Sequence, residues 1–134
     1  MSLDRSLIGT ASESVTFDIE KGAAVKLAEA IGDPHPAYVV GTAVPPTFPT
    51  TFHFRVRHPA LEEIDPARFI HGEQEFEYER PLRPGDRVTC ATRITDLNEK
   101  ETRLGTAYFV TVETEGRDDD GDLVFTSRST LIVR

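Results

Sequence analysis

The chain has 134 residues, a formal net charge of -8 and one cysteine, Cys90. This length suits one domain over residues 1–134, with a core of normal size. The acidity argues against binding to nucleic acid or to an anionic membrane surface, since both require a basic face. A lone cysteine cannot form an intrachain disulfide, and no signal segment or membrane-spanning apolar run is present, so we expect a cytoplasmic protein.

The first third of the chain predicts a strand and then a helix. Residues 14–17 favour a short strand. Between residues 20 and 31 the apolar side chains recur at i, i+3, i+4 and i+7, which is typical of an amphipathic helix. Asp18 is the predicted cap of its start, and Gly32 is the predicted cap of its end.

The connection after this helix is stiff and carries two titratable groups. Asp33 and His35 alternate with Pro34 and Pro36. Each proline fixes its own φ and restricts the residue before it, so the loop can aim these side chains. Asp before proline is also an ordinary turn sequence that needs no catalytic role.

The middle of the chain is ambiguous between helix and strand. In residues 47–57 the aromatic and β-branched content favours a strand, whereas the prolines at its start suit the first turn of a helix. Residues 58–66 predict a surface turn with one helical turn. His53 and His58 are five positions apart and lack a third well-spaced ligand, so we expect no metal site there.

From Phe69 onward the hydrophobic period becomes two, which predicts antiparallel strands. Glutamates occupy every odd position from 73 to 79, while Phe76 and Tyr78 occupy the other face, as in a strand buried on one side. Three further strands are predicted at residues 87–94, 103–114 and 123–133, with polar turns near 84–85, 98–100 and 118–121. The predicted class is α+β. Cys90 lies in an alternating apolar run, which favours a core residue over a nucleophile.

The two acidic clusters, at residues 73–79 and 118–122, are interpreted as a solvated strand face and a turn. Alternate carboxylates on a strand lie too far apart to bind one ion, and no zinc-spacing cluster or phosphate-binding loop is present. We therefore expect neither a metal nor a cofactor.

Several separated segments together resemble the MaoC-like hydratases and dehydratases. They are residues 7–9, the helix into Gly32 and Asp33, and residues 45–48, 71–86, 120–124 and 129–131. They are similar to the MaoC dehydratase N-terminal domain, found as the substrate-binding subunit of actinobacterial heterodimeric (3R)-hydroxyacyl-carrier-protein dehydratases and as the first half of double hot-dog enoyl hydratases. The resemblance implies the hot-dog fold, an antiparallel sheet wrapped around a central helix, and favours helix for residues 47–57.

The catalytic signature of this family, Gly-Asp-x-Asn-Pro-x-His, is incomplete here. Gly32, Asp33 and Pro36 match, but His35 stands in place of Asn and Tyr38 in place of the catalytic His. A phenol that titrates near ~10 is a poor base at neutral pH. The resemblance thus leaves Asp33 and His35 as candidate catalytic residues of a degenerate motif. It implies substrate-binding roles for Tyr38, Pro46, Thr47, Phe48 and His71.

These features imply a protein that binds acyl thioesters of coenzyme A or of an acyl carrier protein. We expect the substrate-binding partner of a catalytic MaoC-like subunit, in a heterodimer or, without that subunit, a homodimer. One alternative is a self-sufficient homodimeric enoyl hydratase that uses Asp33 with His35 or His71. Another is a non-catalytic acyl-binding or regulatory module.

Overall fold

The fold is built on one antiparallel sheet. The structure is a computed structural model that describes residues 3–134. Within these residues the sheet has five strands in the order β1-β3-β4-β5-β2. Their bounds are Val15–Asp18 for β1, Phe69–Tyr78 for β2, Arg87–Thr102 for β3, Gly105–Arg117 for β4 and Leu123–Val133 for β5. The helices and the sheet together confirm the predicted α+β class.

Three short α-helices and three 3-10 segments connect and cover the strands. The α-helices are α1 at Lys21–Ile31, α2 at Pro36–Val39 and α3 at Pro59–Glu62. The 3-10 segments are Arg5–Leu7, Phe48–Phe54 and Pro66–Arg68. None of the helices in residues 3–134 is long and apolar enough to cross a membrane.

The end of α1 is as predicted, but its start is not. Gly32 has a φ of 73° and its N–H donates to the carbonyls of Ala28 and Glu29, which confirms it as the cap. The prediction that Asp18 caps the helix is wrong, because β1 extends through Asp18 by pairing with β3. Ile19 follows, buried and bonded to a neighbouring turn, so the helix begins only after Glu20.

The ambiguous middle segment is helical, as the resemblance implied, and it is 3-10 rather than α. Its Phe48 and Phe52 side chains are buried, and the Phe52 ring stacks on Phe17 at 4.2 Å between centroids. The hydroxyls of Thr50 and Thr51 donate to carbonyls three residues earlier, which supports the tight turns. This segment packs into the same core cluster as the inward side chains of β3 and β5.

The region around α3 is more deeply buried than the surface turn predicted for residues 58–66. The predicted single helical turn is present, but His58, Leu61 and Ile64 are buried. Leu61 and Ile64 join a second core cluster with the far ends of β3, β4 and β5. The segment is therefore part of the core wall and not only a surface turn.

The register of β2 is confirmed. The glutamates at odd positions are exposed, whereas Phe76 and Tyr78 are half-buried. β2 lies at an edge of the sheet, and its row of carboxylates is in solvent.

The hairpin between β3 and β4 is longer than predicted. The expected turn at residues 98–100 is wrong, since this part of β3 remains paired with β4 and the turn lies at residues 103–104. Gly105 supplies a φ of 110° where the chain reverses. Polar residues therefore continue a solvent-exposed strand end here and do not mark a turn.

Cys90 is a core residue, as predicted. Its side chain is fully buried in the first core cluster, and this burial raises the pKa of the thiol to about 12. A thiol that stays protonated at neutral pH is a poor nucleophile.

Candidate substrate-binding site

The loop after α1 holds its two titratable side chains by local capping bonds. Asp33 accepts a hydrogen bond at Oδ1 from the His35 N–H at 3.0 Å. His35 is the N-cap of α2 and accepts at Nδ1 from the Ala37 N–H at 3.1 Å. Both side chains therefore satisfy backbone amides of the turn in which they lie.

This capping limits what the His35 imidazole can do. Because its Nδ1 lone pair accepts from an amide, the neutral ring carries its proton on Nε2 and offers only a donor there. To act as a base through Nε2 the ring would have to move that proton to Nδ1, which would break the cap. The geometry therefore favours a structural role for His35 over proton abstraction.

Tyr38 lies near both His35 and a second tyrosine. Its ring is tilted against the His35 ring at 5.3 Å between centroids. The pKa of Tyr78 is raised above its ordinary value, first by burial and then by the nearby Tyr38. The Tyr78 hydroxyl donates to the carbonyl of Pro46, so β2 is joined directly to the start of the buried helical segment.

The main cavity lies between the sheet and the chain segment of residues 53–71. Its volume is about 530 Å³. The apolar residues that line it are Phe54, Val56, Leu61, Pro66, Phe69, Val112 and Leu131. The polar residues that line it are His53, Arg57, His58, His71, Thr92, Thr114 and Ser129. Such a concave, partly apolar space with a few polar groups is typical of a small-molecule site.

Hydroxyl groups form part of the cavity floor. Thr92 and Thr114 are neighbours on β3 and β4, and their hydroxyl oxygens lie 2.6 Å apart. Ser129 on β5 donates to the Gln74 side-chain oxygen at 2.6 Å. The three residues are each no more than 6% exposed, and their hydroxyls bond one another or Gln74.

Three histidines surround the same cavity. His58 is buried, accepts at Nδ1 from the Ala60 N–H at 3.1 Å, and has its Nε2 2.8 Å from the Thr10 hydroxyl. Burial lowers the pKa of His58. The pKa of His53 is also lowered, chiefly by burial and in addition by the neighbouring His71. The His53 and His58 rings are therefore held toward their neutral forms in the free protein.

The structure places the predicted site residues in three parts of the fold. His71 lines the main cavity, whereas Asp33, His35 and Tyr38 belong to the capped loop. Pro46 and Thr47 are exposed at the start of the 3-10 segment, and Phe48 is buried in the core. Their roles in binding or catalysis stay predictions.

Sequence reasoning missed most of the cavity lining. The hydroxyls of Thr92, Thr114 and Ser129 interrupt the inward apolar positions of their strands, which was a readable signal of a polar floor. His53 had no such signal, because it comes near His71 only through the packing of the helical segment on the sheet.

The acidic cluster near the end of β4 forms a turn, as predicted. Asp118 accepts at Oδ1 from the N–H groups of Asp120 and Asp122, both at 3.0 Å. The carboxylates of these three residues have oxygens within 4.8 Å of one another. The argument from strand spacing therefore does not apply to them, and the turn geometry explains their approach.

A family model and a relative of similar length both match most or all of this chain. A family model described as "FAS1-like, dehydratase domain region" matches residues 6–127. A UPF0336 protein from Streptomyces griseus is 34% identical over 150 residues, which covers 100% of this chain and 97% of the relative.

Two solved structures share the fold. The C-terminally truncated HadBC complex from Mycobacterium tuberculosis, a 3R-hydroxyacyl-ACP dehydratase, matches with a TM-score of 0.80 and 23% identity over 97% of this chain and 99% of that one. The ChsH1-ChsH2 complex from Mycobacterium tuberculosis matches with a TM-score of 0.73 and 21% identity over 92% of this chain and 88% of that one.

Proposed function

Because the chain belongs to the FAS1-like dehydratase region family and has the hot-dog fold of MaoC-like dehydratases, we propose that it binds acyl thioesters. Its role in this proposal is the substrate-binding subunit of a (3R)-hydroxyacyl dehydratase or (R)-specific enoyl hydratase, with coenzyme A or acyl carrier protein as the thioester carrier. The buried, reduced form of Cys90 suits a cytoplasmic location.

The observation that carries the proposal is the separation of a ligand-sized cavity from a loop that lacks a free base. Hydration of an enoyl thioester needs a group that takes a proton from water and donors for the developing enolate. In the loop, Tyr38 occupies the position of the family's base, and the Nδ1 of His35 is engaged by the Ala37 amide. The chain keeps a space for substrate but offers no free imidazole beside Asp33.

A partner would supply the missing base. Two of the similar solved structures are described as complexes, HadBC and ChsH1-ChsH2. Their likeness supports a pairing of this chain with a catalytic MaoC-like subunit that carries the complete signature.

Self-sufficient hydration is the second candidate, and one observation favours it. His71, unlike His35, lines the cavity, and the structure gives its ring no capping bond like that of His35. In this alternative His71 would act as the base, and a second copy of the chain would complete the site with its own Asp33 loop.

Co-purification from the native host tests the proposal. The tagged full-length chain is isolated at physiological salt, and the eluted proteins are identified by mass spectrometry. We expect a MaoC-like protein with the full Asp and His signature in stoichiometric amount. Recovery of this chain alone, as a homodimer with hydratase activity, would favour the self-sufficient enzyme instead.

A further inference from the structure

The charge of the main cavity is opposite to that of the protein. The chain has 23 acidic and 15 basic residues, yet the residues that line the cavity include Arg57 and three histidines and neither Asp nor Glu. The Arg57 guanidinium therefore brings a positive charge to a lining without carboxylates, which favours an anionic ligand.

Arg57 has no counter-ion among residues 3–134. In residues 3–134 Arg80, Arg87, Arg117 and Arg128 each form an ion pair, and Arg57 forms none. Its guanidinium lies at the cavity wall in an exposed position, so it is hydrated and free to form paired hydrogen bonds with a carboxylate or phosphate.

His53 and His71 also line the cavity and can contribute hydrogen-bond donors to a ligand. The two rings are near enough for the charge of His71 to oppose protonation of His53. With no carboxylate in the lining, a neutral ring can donate a hydrogen bond to an anion from its N–H group, and a bound anion would in turn favour protonation of the ring.

The floor can complete the site with a hydroxyl donor. In the Thr92 and Thr114 pair one hydroxyl donates to the other, and the proton of the second hydroxyl remains available to a ligand. A purely alkyl group placed against the exposed Arg57 guanidinium would remove its hydration without replacing it, which is costly.

We propose that the cavity binds an anionic oxygen group of the ligand, a carboxylate or a phosphate, through Arg57, His53 and His71. The inference rests on the proposed function for the rest of the ligand, an acyl thioester. The anionic group would then be one of two parts of the ligand: a carboxylate at the far end of the acyl group, or the phosphate of the pantetheine arm.

Titration calorimetry of the full-length chain with two ligand pairs tests the site and distinguishes the sources. The first pair is the adipoyl and hexanoyl thioesters of N-acetylcysteamine, which differ in a terminal carboxylate and contain no phosphate. The second pair is 4′-phosphopantetheine and pantetheine. We expect the anionic member of one pair to bind roughly 10-fold or more tightly than its neutral partner, as a charge-assisted hydrogen bond gives.

Variants assign the effect to the cavity. Arg57→Gln should abolish most of the discrimination, and His71→Gln should weaken it. Arg103→Gln is the matched control, because Arg103 is exposed in the turn between β3 and β4, does not line the cavity and should leave both affinities unchanged. Circular dichroism confirms that each variant is folded.

Two results would overturn the inference, and they differ in what they leave standing. Equal affinities within both pairs, or discrimination that survives Arg57→Gln, would exclude the anion site while acyl binding stands. Absence of binding by all four ligands would exclude both the anion site and the proposed acyl-binding function.

Discussion

The imidazole of His35 is hydrogen-bonded to the backbone in the free protein. Its Nδ1 accepts the Ala37 amide at the start of α2. We expect His35→Ala to lower the free energy of unfolding by about 1 kcal/mol, the usual loss for an N-cap. His35→Asn should keep most of the stability, because Asn is a good N-cap acceptor. Urea unfolding of the two variants measures this, and equal stability of His35→Ala and the wild type would show that the cap is unimportant.

Gly116 is required by packing and not by backbone conformation. It pairs with Phe125 across β4 and β5, and a Cβ at this position would lie 2.1 Å from the Phe125 ring. We expect Gly116→Ala to destabilise the protein by about 1 to 3 kcal/mol, the usual cost of overpacking. Thermal unfolding monitored by circular dichroism measures the change.

Gly22 is the matched control for that substitution. It lies in α1 with no atom within 4 Å of an added Cβ and without a positive φ. Gly22→Ala should therefore stabilise the protein by about 0.5 to 1 kcal/mol through helix propensity. A stable Gly116→Ala variant would mean that the Phe125 ring can move aside at little cost.

Residue-level prediction succeeded where the pattern is set by burial alone. The glutamates of β2 and the buried Cys90 follow from alternation, because a one-residue slip would bury every carboxylate. It failed for Asp18, whose sequence suits a helix cap as well as a strand end. Asp18 is a strand residue because it pairs with Arg87, a residue far along the chain.

At the scale of elements, His53 in the 3-10 segment and His58 at the start of α3 make the stability of the fold depend on pH. Burial lowers the pKa values of His53 and His58 below the ordinary value near ~6.5. The unfolded chain then binds more protons than the folded one as the pH falls below ~6.5, so acid destabilises the fold. The stability present above that pH is lost on approach to the lowered folded-state pKa.

The melting temperature should accordingly fall between pH 7.5 and pH 5.5, a range above the ordinary carboxylate pKa values. His53→Gln removes one of the two groups, and its melting temperature should fall less over the same range. Differential scanning calorimetry at both pH values makes the comparison. A fall as large in His53→Gln as in the wild type would exclude His53 as a source of the pH dependence.

Element boundaries were predicted well where local and long-range forces agree. α1 ends where Gly32 and Pro34 both stop a helix, and β2 alternates where one face is buried. The hairpin turn at residues 103–104 was misplaced, since polar residues at 98–100 suit a turn and an exposed strand end equally well. Pairing with β4 decides between these, and no local pattern reports it.

For the whole molecule, assembly follows from the edges of the sheet. β1 and β2 each have one unpaired edge in the chain alone. Such edges invite pairing with another chain unless they are covered. We expect a homodimer when the purified chain has no partner and a heterodimer when a catalytic subunit is present. Analytical ultracentrifugation over a hundredfold range of concentration measures this, and a strict monomer throughout would contradict it.

The candidate site was only partly predictable, because part of it is one contiguous loop and part is assembled from distant segments of the chain. The loop of Asp33 and His35 is one contiguous segment, so its amino-acid sequence could be compared with a family signature. The cavity is assembled from β3, β4, β5 and the segment of residues 53–71, which are far apart in the chain. His71 was identified through resemblance, whereas Arg57 and His53 acquire meaning only from their shared position in the fold.

The central claim is that this chain binds acyl thioesters without converting them on its own. The initial rate of hydration of crotonyl-CoA and longer 2-enoyl thioesters by the purified chain tests it most directly, on a preparation shown to bind a saturated acyl thioester. We predict a rate equal to that of buffer, unchanged by Asp33→Asn. Robust turnover that falls by the ~100 to 10,000-fold typical of a lost acid-base group on His35→Ala or His71→Ala would contradict the claim and make this chain an enzyme in its own right.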